Sequence, residues 1–226
     1  MFEVSDRVKA VMSCFVALLA LGAFFLPQAR LHAQVIATAP SAKPTPYTQR
    51  WDLYGGLLYS HFNPSPGAEV RAINLLGWNA SATMWLKKRW GIESSARGAY
   101  GTLVVPANYY GIKLNPPMSE YLYLFGPQIR MYRSPKLTLG MHFLIGAAYG
   151  IFDSGFPHNI QPQVVDIYND KLAFGMAWGG YADFNVKKHW AIRFTSDWQP
   201  THYGFSQQNE YAGSTGIVYK IGKMPR

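Results

Sequence analysis

LLGWNASATMWLKKRWGIESSARGAYG, residues 75–101, alternates twice. From Leu76 to Met84 the even positions are Leu76, Trp78, Ala80, Ala82 and Met84, and the odd positions between them are Gly77, Asn79, Ser81 and Thr83. After Lys87, Lys88 and Arg89 the pattern resumes, with Trp90, Ile92, Ala96 and Tyr100 set against Gly91, Glu93, Ser95 and Arg97. A period of two sustained over about ten residues marks a strand with two unlike faces. Two such strands joined by a short polar segment form a hairpin, so the basic triplet is a turn. Trp85 alone breaks the alternation, beside that turn.

The same period recurs in WDLYGGLLYSHF (51–62), EYLYLFGPQIRMY (120–132), LTLGMHFLIGAAYG (137–150), KLAFGMAWGGYADF (171–184), WAIRFTSDWQ (190–199) and EYAGSTGIVYKIG (210–222). Together with the first two, these segments give eight predicted strands. In a soluble sandwich the polar face meets water and carries long Lys and Glu side chains. Here the minority face is mostly Gly, Ala, Ser and Thr. Lys171 and Tyr181 join it, and Leu58, Leu122 and Leu124 stand out as apolar exceptions. Small residues on one face suit the narrow interior of a small closed barrel. The majority face carries aromatics towards the strand ends, Trp51, Trp90, Tyr121, Trp178, Trp190 and Trp198, with Leu, Ile, Phe and Met between them, the girdle of a membrane-spanning barrel. The expected fold is all-β, an eight-stranded antiparallel up-and-down transmembrane β-barrel, with Ile192 near mid-span.

The connections orient it. KKR (87–89), RSPK (133–136) and NVKK (185–188) are short, whereas 102–119 and 151–170 are long. Short turns face the periplasm in such barrels and long loops face outward. Ahead of the strands, Arg7 and Lys9 lead into the apolar run AVMSCFVALLALGAFFL (10–26), then Pro27 and LHA (31–33). That order predicts a signal peptide over 1–33, a flexible linker over 34–49, a barrel over 50–222 and a tail over 223–226. A cut after Ala33 removes Arg7, Lys9 and Arg30 against Glu3 and Asp6, which lowers the formal charge of +9 by one. The remaining positive charge recurs at the short turns and near the C-terminus (Lys220, Lys223, Arg226) and forms no continuous basic surface interleaved with aromatics, so a nucleic-acid partner is not expected. The single cysteine, Cys14, lies in the apolar run, so disulfides, thiol nucleophiles and cysteine-held metals are not expected in the exported chain.

FGPQIRMYRSPKLTLGMHFLIGAAYG (125–150), WGGYADFNVKKHWAIRFTSDWQPTHYG (178–204) and STGIVYKIG (214–222) resemble the small outer-membrane β-barrel family, the eight-stranded type that includes outer membrane proteins A and X. The resemblance implies the outer membrane of a Gram-negative-type bacterium and outer-membrane lipid as surroundings. It carries no catalytic fingerprint. From the alternation, Glu93, Arg97, Arg130, His142, Asp183, Arg193 and Asp197 are expected inside the barrel as a network of paired charges. No catalytic, cofactor or metal set is expected, and an extracellular ligand would meet the long loops. The expected role is structural or surface-interacting. A narrow porin-like channel is the alternative, followed by a lipid-modifying enzyme built on Ser60 with His61, or on Asp197 with His202 and Ser206.

Overall fold

The computed structural model describes residues 48–63, 72–104, 115–152, 154, 168, 171–204 and 207–224. The expected signal peptide, most of the expected linker, residues 225–226 and most of the two long connections lie outside the described residues. Eight strands are present: β1 (Trp51–Asn63), β2 (Ile73–Trp85), β3 (Trp90–Thr102), β4 (Pro117–Arg133), β5 (Leu137–Ile151), β6 (Leu172–Lys187), β7 (Trp190–His202) and β8 (Gln208–Ile221). Each pairs antiparallel with the next, and β8 returns to pair with β1, from Trp51 opposite Ile221 to Asn63 opposite Asn209. Closure leaves no sheet edge, so every strand satisfies its backbone groups on both sides.

Large apolar side chains cover the outside. Leu57 is 73% exposed, Leu76 66% and Ile145 47%, and Tyr123, Phe143, Phe174 and Ile217 join them around the wall. Soluble monomers rarely expose contiguous apolar patches beyond a few hundred Å². A belt that encircles the barrel therefore has hydrocarbon as its solvent. The strands, 13 to 17 residues long, exceed the roughly 9–11 residues that a tilted strand needs to cross a bilayer.

The structure departs from the sequence expectations at several points. β4 begins at Pro117, three residues earlier than the alternation suggested, and β7 and β8 extend towards the long-connection end. β6 continues through Asn185 and Val186 to Lys187, with a bulge between Asn185 and Lys187 that absorbs the change of phase. The third short turn is therefore Lys188 and His189, not NVKK. Lys171 precedes β6 and is exposed rather than inside. Ile192 is the third residue of β7, close to the short-turn end and not at mid-span. Trp85 breaks the outward pattern because it turns inward at the end of β2 and is fully buried.

An outward position at mid-strand should punish charge more than one near a strand end. Arg at the midplane costs about 2 to 4 kcal/mol, falling to about 0 to 1 near the interfaces. Ile145, in the middle of β5, and Val186, near the short-turn end of β6, both face out. Ile145→Arg is expected to lower the urea stability of the barrel refolded in lipid vesicles by several-fold more than Val186→Arg. Equal losses would place the hydrocarbon belt elsewhere on the wall.

Candidate functional site: the layered lumen

The inward positions fill the barrel with three layers of different chemistry. Nearest the short turns, Asp183 on β6 and Arg193 on β7 are cross-strand partners and form a two-bonded ion pair, Nε to Oδ1 at 2.6 Å and Nη2 to Oδ2 at 3.0 Å. Arg130 on β4 donates to Asp52 Oδ2 on β1 at 2.9 Å, and Arg193 reaches the same oxygen at 3.8 Å. Lys220 on β8 donates to Asn185 at 2.6 Å and lies 3.8 Å from Asp183. Aromatic faces cover what the carboxylates leave: the Arg130 guanidinium stacks 3.4 Å from the centroid of Trp85, and that of Arg193 lies 4.4 Å from Tyr181. Gly140 makes this possible, since a Cβ there would overlap the Tyr181 ring.

The middle layer is built on His142 from β5. Its Nδ1 meets Glu93 at 3.0 Å and its Nε2 meets Asp197 at 2.9 Å. Two carboxylates on the two ring nitrogens suit an imidazolium, which donates from both. Arg97 completes the layer, 2.7 Å from the other oxygen of Asp197 and 2.8 Å from Gln199 Oε1. A Cβ on Gly179 would collide with the Asp197 carboxylate, so the glycine leaves the room this layer needs. Around it, Ser214 joins Tyr54 at 2.8 Å and Thr195 at 2.7 Å, and accepts from Asn79 at 3.2 Å.

Towards the long connections the interior becomes apolar, with Leu58, Leu75, Leu122, Leu124, Leu144 and Met118 packed in one cluster. Set into it are two fully buried acids, Glu120 and Glu210. Ser60, Thr201 and Gln199 donate to Glu210 at 3.0, 3.2 and 3.3 Å, and Tyr203 Oη donates to Glu120 at 2.9 Å. Phe152 covers this level, with ring centroids 5.0 Å from Tyr203, 5.5 Å from Tyr168 and 6.5 Å from Phe62.

All seven interior residues singled out from the alternation are buried and fall in the first two layers. Four other acidic or basic residues share the lumen. Asp52 and Lys220 carried the same signal, each on the minority face of its strand, and Lys220 belongs to the interior rather than to the basic C-terminal charge. Glu120 and Glu210 were the first residues of their predicted segments, where alternation has no preceding phase to compare. Of the aromatics, Trp51, Trp90 and Trp190 are exposed at strand starts on the short-turn end, with the Tyr219 ring tilted against Trp190 at 4.6 Å. Tyr121 packs edge-on to Tyr100 at 5.9 Å, and Trp178 pairs with Trp198 within β6 and β7, away from the strand ends. The two catalytic combinations do not converge. Ser60 points inward to Glu210 while neighbouring His61 bonds Asn74 on the outside, and Asp197 is inside while His202 is exposed outside. Ser206 lies outside the described residues.

No protein-family model and no curated protein matches the chain. Solved structures do. OprG, an outer membrane protein from Pseudomonas aeruginosa, is 13% identical, with 77% of this chain and 97% of that chain covered and a TM-score of 0.57. Ail, the attachment invasion locus protein of Yersinia pestis, is 15% identical over 77% of this chain and 99% of that one, with a TM-score of 0.51. The fold is that of the small eight-stranded outer-membrane barrels. Neisserial surface protein A extends the comparison at 9% identity, with 76% and 97% covered and a TM-score of 0.51. At these identities the likeness is one of fold.

Removing one member of a buried ion pair strands the other, at about 3 to 5 kcal/mol, whereas replacing both with apolar groups of similar size is often neutral. Asp183→Ala should therefore destabilise the refolded barrel strongly, and Asp183→Leu combined with Arg193→Met should recover most of the loss in urea unfolding. A negligible effect of Asp183→Ala would mean that water reaches Arg193.

Proposed function

We propose that the protein is an integral barrel of the outer membrane of a Gram-negative-type bacterium whose lumen is a closed structural core and whose work is done at its long connections. In this reading the short turns face the periplasm and the long connections face outward, where an extracellular ligand meets them. The observation that carries it is the filling of the lumen. Each charge of the two ionic layers is paired with an opposite charge on another strand, and the level beyond is mainly apolar and covered by aromatic rings. A channel needs a continuous wet path, and stripping ions of water in such an interior is costly. Binding residues, by contrast, gather on loops held by a rigid frame. A barrel of this fold, Ail, is named for attachment and invasion.

In planar bilayers the purified protein is expected to give at most rare, small openings. Steady single-channel conductance whose ion preference changes in Arg97→Ala would replace the closed core by a narrow pore. Orientation has its own test. Exposed loops are preferred sites of nicking, so protease added to intact cells should cut within 102–119 or 151–170 and spare Lys87 and Lys188. Cleavage at those lysines without permeabilisation would turn the barrel over.

A further inference from the structure

Two of the three short turns repeat one pattern. Leu86-Lys87-Lys88-Arg89-Trp90 joins β2 to β3, and Val186-Lys187-Lys188-His189-Trp190 joins β6 to β7. In each, an exposed aliphatic residue and an exposed Trp flank two exposed lysines and a third basic side chain. The two hairpins stand four strands apart in a closed ring of eight, so the turns sit on opposite sides of the rim. Both are held in place. Leu86 and Lys87 donate their backbone N–H groups to Trp90 O at 2.9 and 3.0 Å, and His189 Nδ1 bonds Lys220 O at 2.8 Å.

The charges at this end have one sign. Every carboxylate among the described residues, Asp52, Glu93, Glu120, Asp183, Asp197 and Glu210, is buried inside the barrel. By sequence, Glu69, Asp153, Asp166 and Asp170 belong to the connections at the opposite end. An aliphatic residue and an indole anchor each turn at the level where chains give way to headgroups, and the lysines reach just beyond it. What lies just beyond that level is phosphate.

We propose that the turns at 86–90 and 186–190 are a matched pair of clamps for the phosphate headgroups of anionic phospholipids in the adjoining leaflet. Each lysine held at an anionic surface strengthens the attraction to that surface roughly fivefold. Placed on opposite sides of the rim, the two clamps bind the barrel to that leaflet without tilting it to one side. The proposal rests on the membrane belt and not on the closed lumen.

Trp90 and Trp190, among the lipid-facing indoles, report on it, because chain-brominated lipids quench nearby indoles. The barrel is refolded into phosphatidylcholine vesicles containing a minor fraction of either brominated phosphatidylglycerol or brominated phosphatidylcholine. The expected result at low salt is at least about twofold greater quenching by the anionic lipid, falling to parity at high salt, where surface charge is screened. The variant Lys87→Gln, Lys88→Gln, Lys187→Gln, Lys188→Gln should lose most of the low-salt preference, with folding checked by heat-modifiable gel mobility. Should that variant not fold, the salt dependence of the natural chain decides alone. Parity in the natural chain at low salt overturns the proposal. So does an anionic-lipid preference that the four substitutions leave intact in a folded variant, and so does capture of an acidic protein without any lipid preference.

Discussion

The pairing of β8 with β1 is the constraint on which everything else rests. In hydrocarbon an unpaired backbone amide has no water to fall back on, so a sheet that enters the bilayer must close. With eight strands, closure also sets the diameter, and at that diameter the interior has room for side chains and little else. The lumen is therefore a packing problem before it is a pathway. Gly140 and Gly179 show how tight the solution is: each gives up its side chain so that Tyr181 or Asp197 can occupy the space in front of it.

Such an interior can be filled with hydrocarbon or with charge, and this chain does both in separate layers. Leucines fill the half towards the long connections, while arginines and carboxylates fill the half towards the short turns. Ion pairs buried in this way add little net stability over apolar residues of the same size, since each charge gives up its hydration to enter. Their effect is on specificity. Arg193 cannot exchange Asp183 for a leucine, so a misassembled barrel leaves ions uncompensated in a dry place.

Most of the fold was legible in the sequence because a strand with lipid on one side and a narrow lumen on the other must alternate, and few other environments impose that pattern on eight segments. The alternation also placed Glu93, Arg97, Arg130, His142, Asp183, Arg193 and Asp197 inside. What it could not give was the pairing. Which carboxylate meets Arg97 depends on the stagger around the ring, and no single strand contains that information. The bulge after Asn185 was hidden because it shifts phase within a segment that reads as a turn. Trp85 looked like an error in the pattern because its partner, the guanidinium of Arg130, comes from a strand not adjacent in sequence. Glu120 and Glu210 were obscured by their positions at segment starts. Their partners come from other strands, Tyr203 for Glu120 and Ser60 for Glu210, contacts that no local rule anticipates.

Register is where the two halves of this design meet. Shifting a strand by one residue exchanges its two faces. For β7 such a slip would turn Arg193 and Asp197 into lipid and bring Ile192, Phe194 and Trp198 inside. A charge on the lipid face is costly, most of all towards the midplane where Asp197 would lie, and the partners left behind, Asp183, Arg97 and His142, lose their compensation as well. An all-leucine lumen would impose no comparable penalty, because leucine is at home on either face. The bulges obey the same logic. Between Arg130 and Tyr132 the register of β4 against β5 shifts by one, so that Met131 and Tyr132 both face outward while Arg130 stays inside with Asp52. Without that extra residue the tyrosine would enter the ionic layer next to the short turns. The charges thus fix the phase of the strands, and the bulges change that phase only where a charge has already been seated.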